Sequence, residues 1–302
     1  MALKLLIDTD PGIDDAMAIL FAARHPGIDL VGLTTVFGNV YVADATRNAL
    51  ALTERAGHAI PVAEGAAQPL VLPPFTPPAH IHGISGFGSL PAPVPSGRKA
   101  DETAAELLCR LARENPGELV VCPVGPITNI AEAIRLDPAF SGNVAKIVIM
   151  GGACHVRGNI SPFAEANTWH DPHALAEVFA SGADVTMVGL DVTMKAFLDR
   201  ADFDALSRQS PGDGVFLRDL SDFYLKFYND IGFDGCALHD AMAVIACLKP
   251  EWFTIEDLPM EVVTTGEEIG RTRPRADGTG PVIHVCTDCD ADAIKNYFLS
   301  VF

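Results

Sequence analysis

The sequence predicts an α/β fold: an open, mainly parallel central sheet with helices on both faces and its active site at the carboxyl ends of the strands. Three observations predict it. Strand-like runs alternate with helix-like runs through most of the 302 residues, an order that builds parallel sheets covered on both sides. Runs such as Leu3–Ile7 and Lys146–Met150 are short and apolar, as buried strands are. Polar residues gather at the ends of these runs, the edge where open, Rossmann-like sheets bind ligands.

The first element is the strand Leu3-Lys4-Leu5-Leu6-Ile7, followed by Asp8-Thr9-Asp10-Pro11-Gly12-Ile13-Asp14-Asp15. Pro11-Gly12 enforces a turn, because Pro fixes its own φ and Gly accepts values other residues avoid. The apolar run that starts at Ala16 is then a packed helix. A β-rich stretch at Ile28–Thr35 ends at Phe37-Gly38-Asn39, with a helix expected over 43–56 and a short strand at 60–63. From 68 to 99 the chain is rich in Pro and Gly without helical period, too long for a passive connector. A helix over 103–113, a strand over 119–124 and a helix at Thr128–Leu136 follow, then the strand Lys146–Met150.

An irregular polar stretch is expected over 153–171, a helix over 172–181 and a strand over 184–190 ending at Asp191. Helical patterns occupy 199–229 and 240–248, and strands are expected at 260–265 and 282–286 before a last helix. No repeat, low-complexity tract or linker divides the chain, so residues 1–302 are expected to form a single domain.

Hydrophobic residues make up 49% of the chain, enough for a sizeable core, and the formal net charge is −18. That charge argues against a nucleic-acid or anionic membrane partner, and makes highly phosphorylated substrates less natural than a neutral, hydroxyl-rich ligand. Of the seven cysteines, Cys109, Cys122, Cys236 and Cys247 lie in apolar segments, as reduced core residues do. Cys286-Thr287-Asp288-Cys289 is a lone C-x-x-C with no second pair, a weak sign of zinc or redox chemistry. The chain starts directly into a strand, and no apolar run reaches spanning length. A cytoplasmic location is expected.

Four carboxylates within eight residues at the first strand's end are more than helix capping explains. They repel one another unless something positive sits among them, and a hard divalent cation is the simplest candidate. Spacing alone does not separate calcium from magnesium. Other polar groups at strand ends should converge on the same face: Asn39, the Val124-Gly125 backbone, Asp191 and His239-Asp240. The stretch from Gly158 to Asn167 is the richest. Its Asn159, Glu165 and Asn167 suit the directional hydrogen bonding of sugar hydroxyls, or serve ordinary turn chemistry.

His239-Asp240 opens an apolar helix, either as a capping Asp beside an incidental His or as oxygen ligand and proton donor. His82 sits in a Gly-flanked loop that could close over a pocket, or is a surface His. Phe223, Tyr224, Phe227 and Tyr228 lie at helical spacing. Core packing is their default role, though one edge could stack on a flat base. The phosphate loop, dinucleotide fingerprint, H-E-x-x-H and G-x-S-x-G elbow are all missing.

At these residues the sequence resembles the nucleoside hydrolase family of the inosine-uridine preferring type. Asp8-Thr9-Asp10-Pro11-Gly12-Ile13-Asp14-Asp15-Ala16 matches its N-terminal signature. The resemblance continues through Thr34–Asn39, Thr46-Arg47-Asn48-Ala49, His80-Ile81-His82-Gly83, Gly125–Ala131, Val148–Gly152, Gly158-Asn159, Glu165, Asn167, Asp171-Pro172, Gly189–Thr193 and His239-Asp240. It implies hydrolysis of the N-glycosidic bond of a ribonucleoside to ribose and free base, in nucleoside salvage. It further implies Ca²⁺ held by Asp10, Asp15, Asp240 and the Val124 carbonyl, with Asp10 as general base. Asp14, Asn39 and Asn167 match contacts to the 2′/3′ side of the sugar, Asn159 and Glu165 contacts to its 5′-hydroxyl. His239 matches the residue beside the leaving base, where it can act as acid for some substrates. The family also suggests a homo-oligomer, dimer or tetramer.

Two departures bear on substrate range: Ala166 stands where members often have Phe, and Ile84 where Glu is common. The Asp222-Phe223-Tyr224-Leu225 region is more similar to pyrimidine-preferring members, so uridine or cytidine is expected ahead of purine nucleosides. Two other readings compete. Asp8-Thr9-Asp10 after a strand could be the nucleophile and acid of a Mg²⁺ phosphohydrolase, against which the acidic surroundings count. A calcium-dependent nucleoside-binding protein would have no use for Asp10 as base.

Overall fold

A strand buried on both sides sends successive side chains into two different cores, and the first strand does so. In the computed structural model, which describes residues 2–302, β1 (Leu3–Thr9) is fully buried from Leu5 onward. Leu5 and Ile7 enter the core on one face of the sheet and Leu6 the core on the other. β1 pairs in parallel with β2 (Ile28–Thr35), which carries β3 (Val62–Glu64) at the outer edge. On its other side lie β4 (Val120–Pro123), β5 (Lys146–Met150) and β6 (Val185–Val188), all parallel. β7 (Phe197–Leu198) and β8 (Cys236–Ala237) form a separate antiparallel pair.

The chain's last strands turn the far edge antiparallel. β9 (Phe253–Val262) pairs antiparallel with β10 (Thr272–Pro274) and with β11 (Val282–Cys289), and β11 runs parallel to β6. The large sheet thus has nine strands in the order β10-β9-β11-β6-β5-β4-β1-β2-β3. The expected mainly parallel sheet is present. The strand expected at 260–265 is the end of the longer β9, whose first half carries the exposed residues Thr254, Ile255, Glu256 and Asp257 and so lacks an apolar run.

The helices are α1 (Ile13–Arg24), α2 (Val42–Ala56), α3 (Ala79–His82), α4 (Ala104–Glu114), α5 (Thr128–Leu136) and α6 (Phe140–Asn143). They continue with α7 (Ala166–His170), α8 (Pro172–Ala180), α9 (Leu190–Thr193), α10 (Arg200–Gln209), α11 (Asp213–Asp230), α12 (His239–Leu248) and α13 (Ala291–Ser300). Side chains of α1, α2, α10, α11, α12 and α13 share one core. Those of α4, α5, α6 and α8 share the other.

Residues 153–171, expected to be irregular throughout, close with the short helix α7. The long loop at 68–99 contains no strand and only the single turn α3. Among the described residues no helix is long and apolar enough to cross a membrane, and all seven cysteines are unpaired.

Candidate active site

The turn between β1 and α1 delivers its carboxylates to one place because each is fixed by the backbone around it. Asp15, at the third position of α1, turns back on the turn: its Oδ2 accepts from the Gly12 N–H at 2.9 Å and its Oδ1 from Thr9 Oγ1 at 2.5 Å and the Asp10 N–H at 3.2 Å. Asn39, at the end of β2, crosses to the same group. Its N–H donates to Asp10 Oδ2 at 2.6 Å and its Nδ2 to Asp15 Oδ2 at 2.9 Å. Asp10 is gripped between glycines as well: a Cβ on Gly38 would collide with its Oδ2, and one on Gly125 would lie 2.5 Å from its Oδ1. Only glycine lets those two loops close on the carboxylate.

Asp240 reaches the cluster from the first turn of α12. One oxygen each of Asp14, Asp15 and Asp240 lie within 4.8 Å of one another, and all three residues are buried. Burial and mutual repulsion hold the Asp10 and Asp240 carboxyls well above the usual range, and burial raises Asp14 to about 6. The one ion-pair contact to these four among the described residues is His82 Nδ1, 3.7 Å from Asp14 Oδ1. That nitrogen already accepts the Ile13 N–H at 3.2 Å, and burial lowers the imidazole to about 4, so it brings no positive charge. Asp10 Oδ1 and Asp14 Oδ1 are buried without any partner.

Buried oxygens left unpaired cost free energy unless something meets them. A hard cation with oxygen ligands fits this donor set, and the residues present are those it needs. The compact triad is Asp14, Asp15 and Asp240, with Asp10 alongside carrying its own unpartnered oxygen. The Val124 carbonyl accepts Asn167 Nδ2 at 2.8 Å and keeps a second lone pair.

The stretch beyond β5 is organised by capping. Glu165 is buried at the N-terminus of α7, its Oε1 accepting from the Asn167 N–H at 2.9 Å and its Oε2 from the Gly152 and Thr168 N–H groups, both at 3.1 Å. Burial still pushes its carboxyl up to about 7. Asn159 Oδ1 accepts the Ala166 N–H at 3.0 Å, and Asn167 Nδ2 also reaches the Met150 carbonyl at 3.2 Å. The loop's hydrogen bonds therefore knit β4, β5 and α7 together at the sheet's carboxyl edge. Asp191 lies further off, accepting the N–H groups of Cys154 and His155 at 2.9 and 2.8 Å and shaping that loop from beneath.

On the opposite side, α11 supplies a polar chain. Tyr224 Oη donates to Asp14 Oδ2 at 3.1 Å. Tyr228 Oη lies 2.7 Å from His239 Nε2, whose Nδ1 lies 2.8 Å from Thr193 Oγ1. Both tyrosines are buried among apolar neighbours, so they combine the expected core packing with a polar end, Tyr224's on Asp14 and Tyr228's on His239. His239 is lowered to about 4 by burial. Thr193 and Asn129 carry no role in the sequence reading, although both lie inside its matching runs. Asn129 Nδ2 donates to the buried Asp8 Oδ1 at 2.7 Å, and Thr34 Oγ1 donates to the same oxygen at 2.6 Å. Partners so distant in sequence leave no local spacing signal.

A nine-stranded, mostly parallel sheet with a buried acidic cluster at its carboxyl edge is the architecture of the nucleoside hydrolases. The model of the inosine-uridine preferring nucleoside hydrolase family matches residues 5–296. The chain is similar to a probable uridine nucleosidase 1 of Oryza sativa subsp. japonica, 44% identical over 271 residues that cover 89% of this chain and 84% of the relative. Its structure superposes on a purine-preferring ribonucleoside hydrolase from Gardnerella vaginalis with TM-score 0.95 and 34% identity, covering 99% of this chain and 97% of the other. A plant nucleoside hydrolase gives TM-score 0.95 and 35% identity, covering 100% and 99%. The chain belongs to the inosine-uridine preferring nucleoside hydrolase family, and is a nucleoside hydrolase.

Proposed function

We propose that this protein hydrolyses the N-glycosidic bond of ribonucleosides to ribose and free base, with Ca²⁺ as its cation and uridine or another pyrimidine nucleoside preferred. One observation carries the reading: buried aspartates converge on a common point, two of their oxygens unpartnered and no Lys or Arg paired with them among the described residues. Asp10, Asp15, Asp240 and the Val124 carbonyl are the ligands the family resemblance supports, and the compact triad adds Asp14. When bound, the cation supplies a fixed positive charge that orients the sugar diol and favours loss of a proton from the attacking water.

The chain's own groups supply the rest. Asp10 Oδ1, free of any protein donor, accepts the water's proton. Asn39 holds Asp10 and Asp15 in register and offers its remaining amide oxygen to the sugar, and Asn167 does so from the α7 side. The surrounding carboxylates stabilise the positive charge that develops on the sugar as the bond breaks. Tyr228, backed by His239 and Thr193, forms a hydrogen-bonded chain able to hold a proton at Oη for the departing base. The uridine preference rests on the plant nucleosidase relative and on the α11 sequence; the similarity to a purine-preferring enzyme bounds it. A homo-oligomer accords with the family resemblance.

The test is ribose release from uridine, cytidine, inosine, adenosine and guanosine with added Ca²⁺, with Asp10→Asn as control. Rapid release from uridine and near-abolition in the variant are expected. Unchanged turnover in Asp10→Asn removes Asp10 as base, and faster release from inosine than uridine overturns the pyrimidine preference.

A further inference from the structure

We propose that Asn48 is a positioning residue that sets the height of the His82 loop above the aspartate turn. Asn48 lies on α2 and is completely buried. Both protons of its Nδ2 are committed, one to the Pro11 carbonyl at 2.9 Å and one to the Ser85 carbonyl at 2.7 Å. Pro11 is the centre of the turn that carries Asp10 and Asp14, and Ser85 follows His82 by three residues. One amide therefore ties the cation-binding turn to the loop that lies over it.

The amide is itself held. Arg47 donates to Asn48 Oδ1 from Nε at 3.3 Å and from Nη2 at 3.0 Å, and Nη2 also reaches the Ser85 carbonyl at 3.1 Å. Arg47 is in turn paired with Asp44. The loop transmits this hold because it is a closed unit: the Gly88 N–H donates to the His82 carbonyl at 2.8 Å and the Gly86 N–H to the Gly83 carbonyl at 3.4 Å.

Nothing presses the loop from above, since Ile84 at its tip is 90% exposed. Beneath it there is no slack. A Cβ on Gly86 would lie 2.6 Å from the Pro11 carbonyl oxygen and 2.7 Å from Asn48 Nδ2, and one on Gly12 would lie 2.5 Å from His82 Nδ1. The loop is pulled down by Asn48 beside the Phe87 ring buried in the core, and stopped by glycine. No other side chain fits the same place: Leu has the shape without donors, and Asp would set a carboxylate against two carbonyl oxygens.

The proposal rests on His82 meeting substrate, and the experiment separates the two ideas. Asn48→Leu, His82→Ala and the double variant are compared by kcat and KM on uridine, with a Ca²⁺ titration followed by calorimetry. Asn48→Leu is expected to lose roughly tenfold to a hundredfold in kcat/KM, as an ångström-scale displacement does. It should cost less than about twofold more when His82 is already Ala, with Ca²⁺ affinity kept within a few-fold.

Losses that multiply in the double variant, or a fully active Asn48→Leu beside an impaired His82→Ala, overturn the positioning role while leaving His82 in place. A fully active His82→Ala removes His82 and the proposal together. Should Asn48→Leu not fold, Gly86→Ala lifts the same loop from beneath, against the Pro11 carbonyl and Asn48. It is expected to show the same dependence on His82, and independence overturns the proposal.

Discussion

Tyr224 Oη donates to Asp14 Oδ2 across 3.1 Å, joining the long helix α11 to the first turn of α1. Asp14's other oxygen has no partner. This hydroxyl is thus the donor that steadies a carboxylate in the acidic triad. Tyr224→Phe keeps the ring and its packing but removes the one side-chain hydroxyl that donates to Asp14. Calorimetric titration should show Ca²⁺ binding weakened by roughly threefold to tenfold, the worth of one net hydrogen bond. Unaltered affinity would mean that Asp14 stands outside the cation's ligand sphere.

The Tyr228–His239–Thr193 chain makes a second prediction. Tyr228→Phe cuts it at the base side and Thr193→Val at the far side, where only the orientation of the imidazole is lost. The expected loss in kcat is about a hundredfold or more for Tyr228→Phe, typical of removing a general acid, and smaller for Thr193→Val. Nucleosides whose base leaves readily without protonation should be least affected. Equal losses across a series of leaving groups would dissociate this chain from proton delivery.

A third prediction concerns stability and pH. His170 lies at the end of α7, stacked on Phe75 with ring centroids 3.9 Å apart, and its Nδ1 is buried without a partner. Burial lowers its pKa from 6.5 to about 3. A depressed histidine contributes stability that is fully present above pH 6.5 and is lost as pH falls towards 3, because only the unfolded chain takes up the proton in that window. The slope is bounded by one proton, about 1.4 kcal/mol per pH unit. His170→Phe keeps the stack and removes both the slope and the orphaned nitrogen. Urea unfolding between pH 7 and pH 4 should be flatter for the variant by up to that amount, and parallel curves would contradict the assignment.

Much of this arrangement is legible in the chain. The β1–turn–α1 unit, the parallel order and the placement of His239-Asp240 at the start of α12 follow from local apolar runs, a Pro-Gly turn and helix-opening residues. Local chemistry does not reveal choices made between distant segments. Phe223, Tyr224, Phe227 and Tyr228 have the spacing of a packed helix face, and only the packing of α11 brings the Tyr224 hydroxyl to Asp14 and the Tyr228 hydroxyl to His239. Glu165 shows a similar limit. Its carboxylate has the composition of a sugar contact, while its capping of α7, with both oxygens accepting backbone N–H groups, shows only in the folded chain. The first half of β9 escaped notice because an exposed edge segment needs no apolar run.

The glycine jaws around Asp10 restrict where this protein can change. Neither Gly38 nor Gly125 has room for even a methyl group, so the ground next to the Asp10 carboxylate is closed to variation. The exposed side chains of the neighbouring loops, Ile84, Val156 and Ile160 among them, meet no such constraint. One chain thus joins a turn frozen by backbone contact to a rim whose side chains end in open solvent.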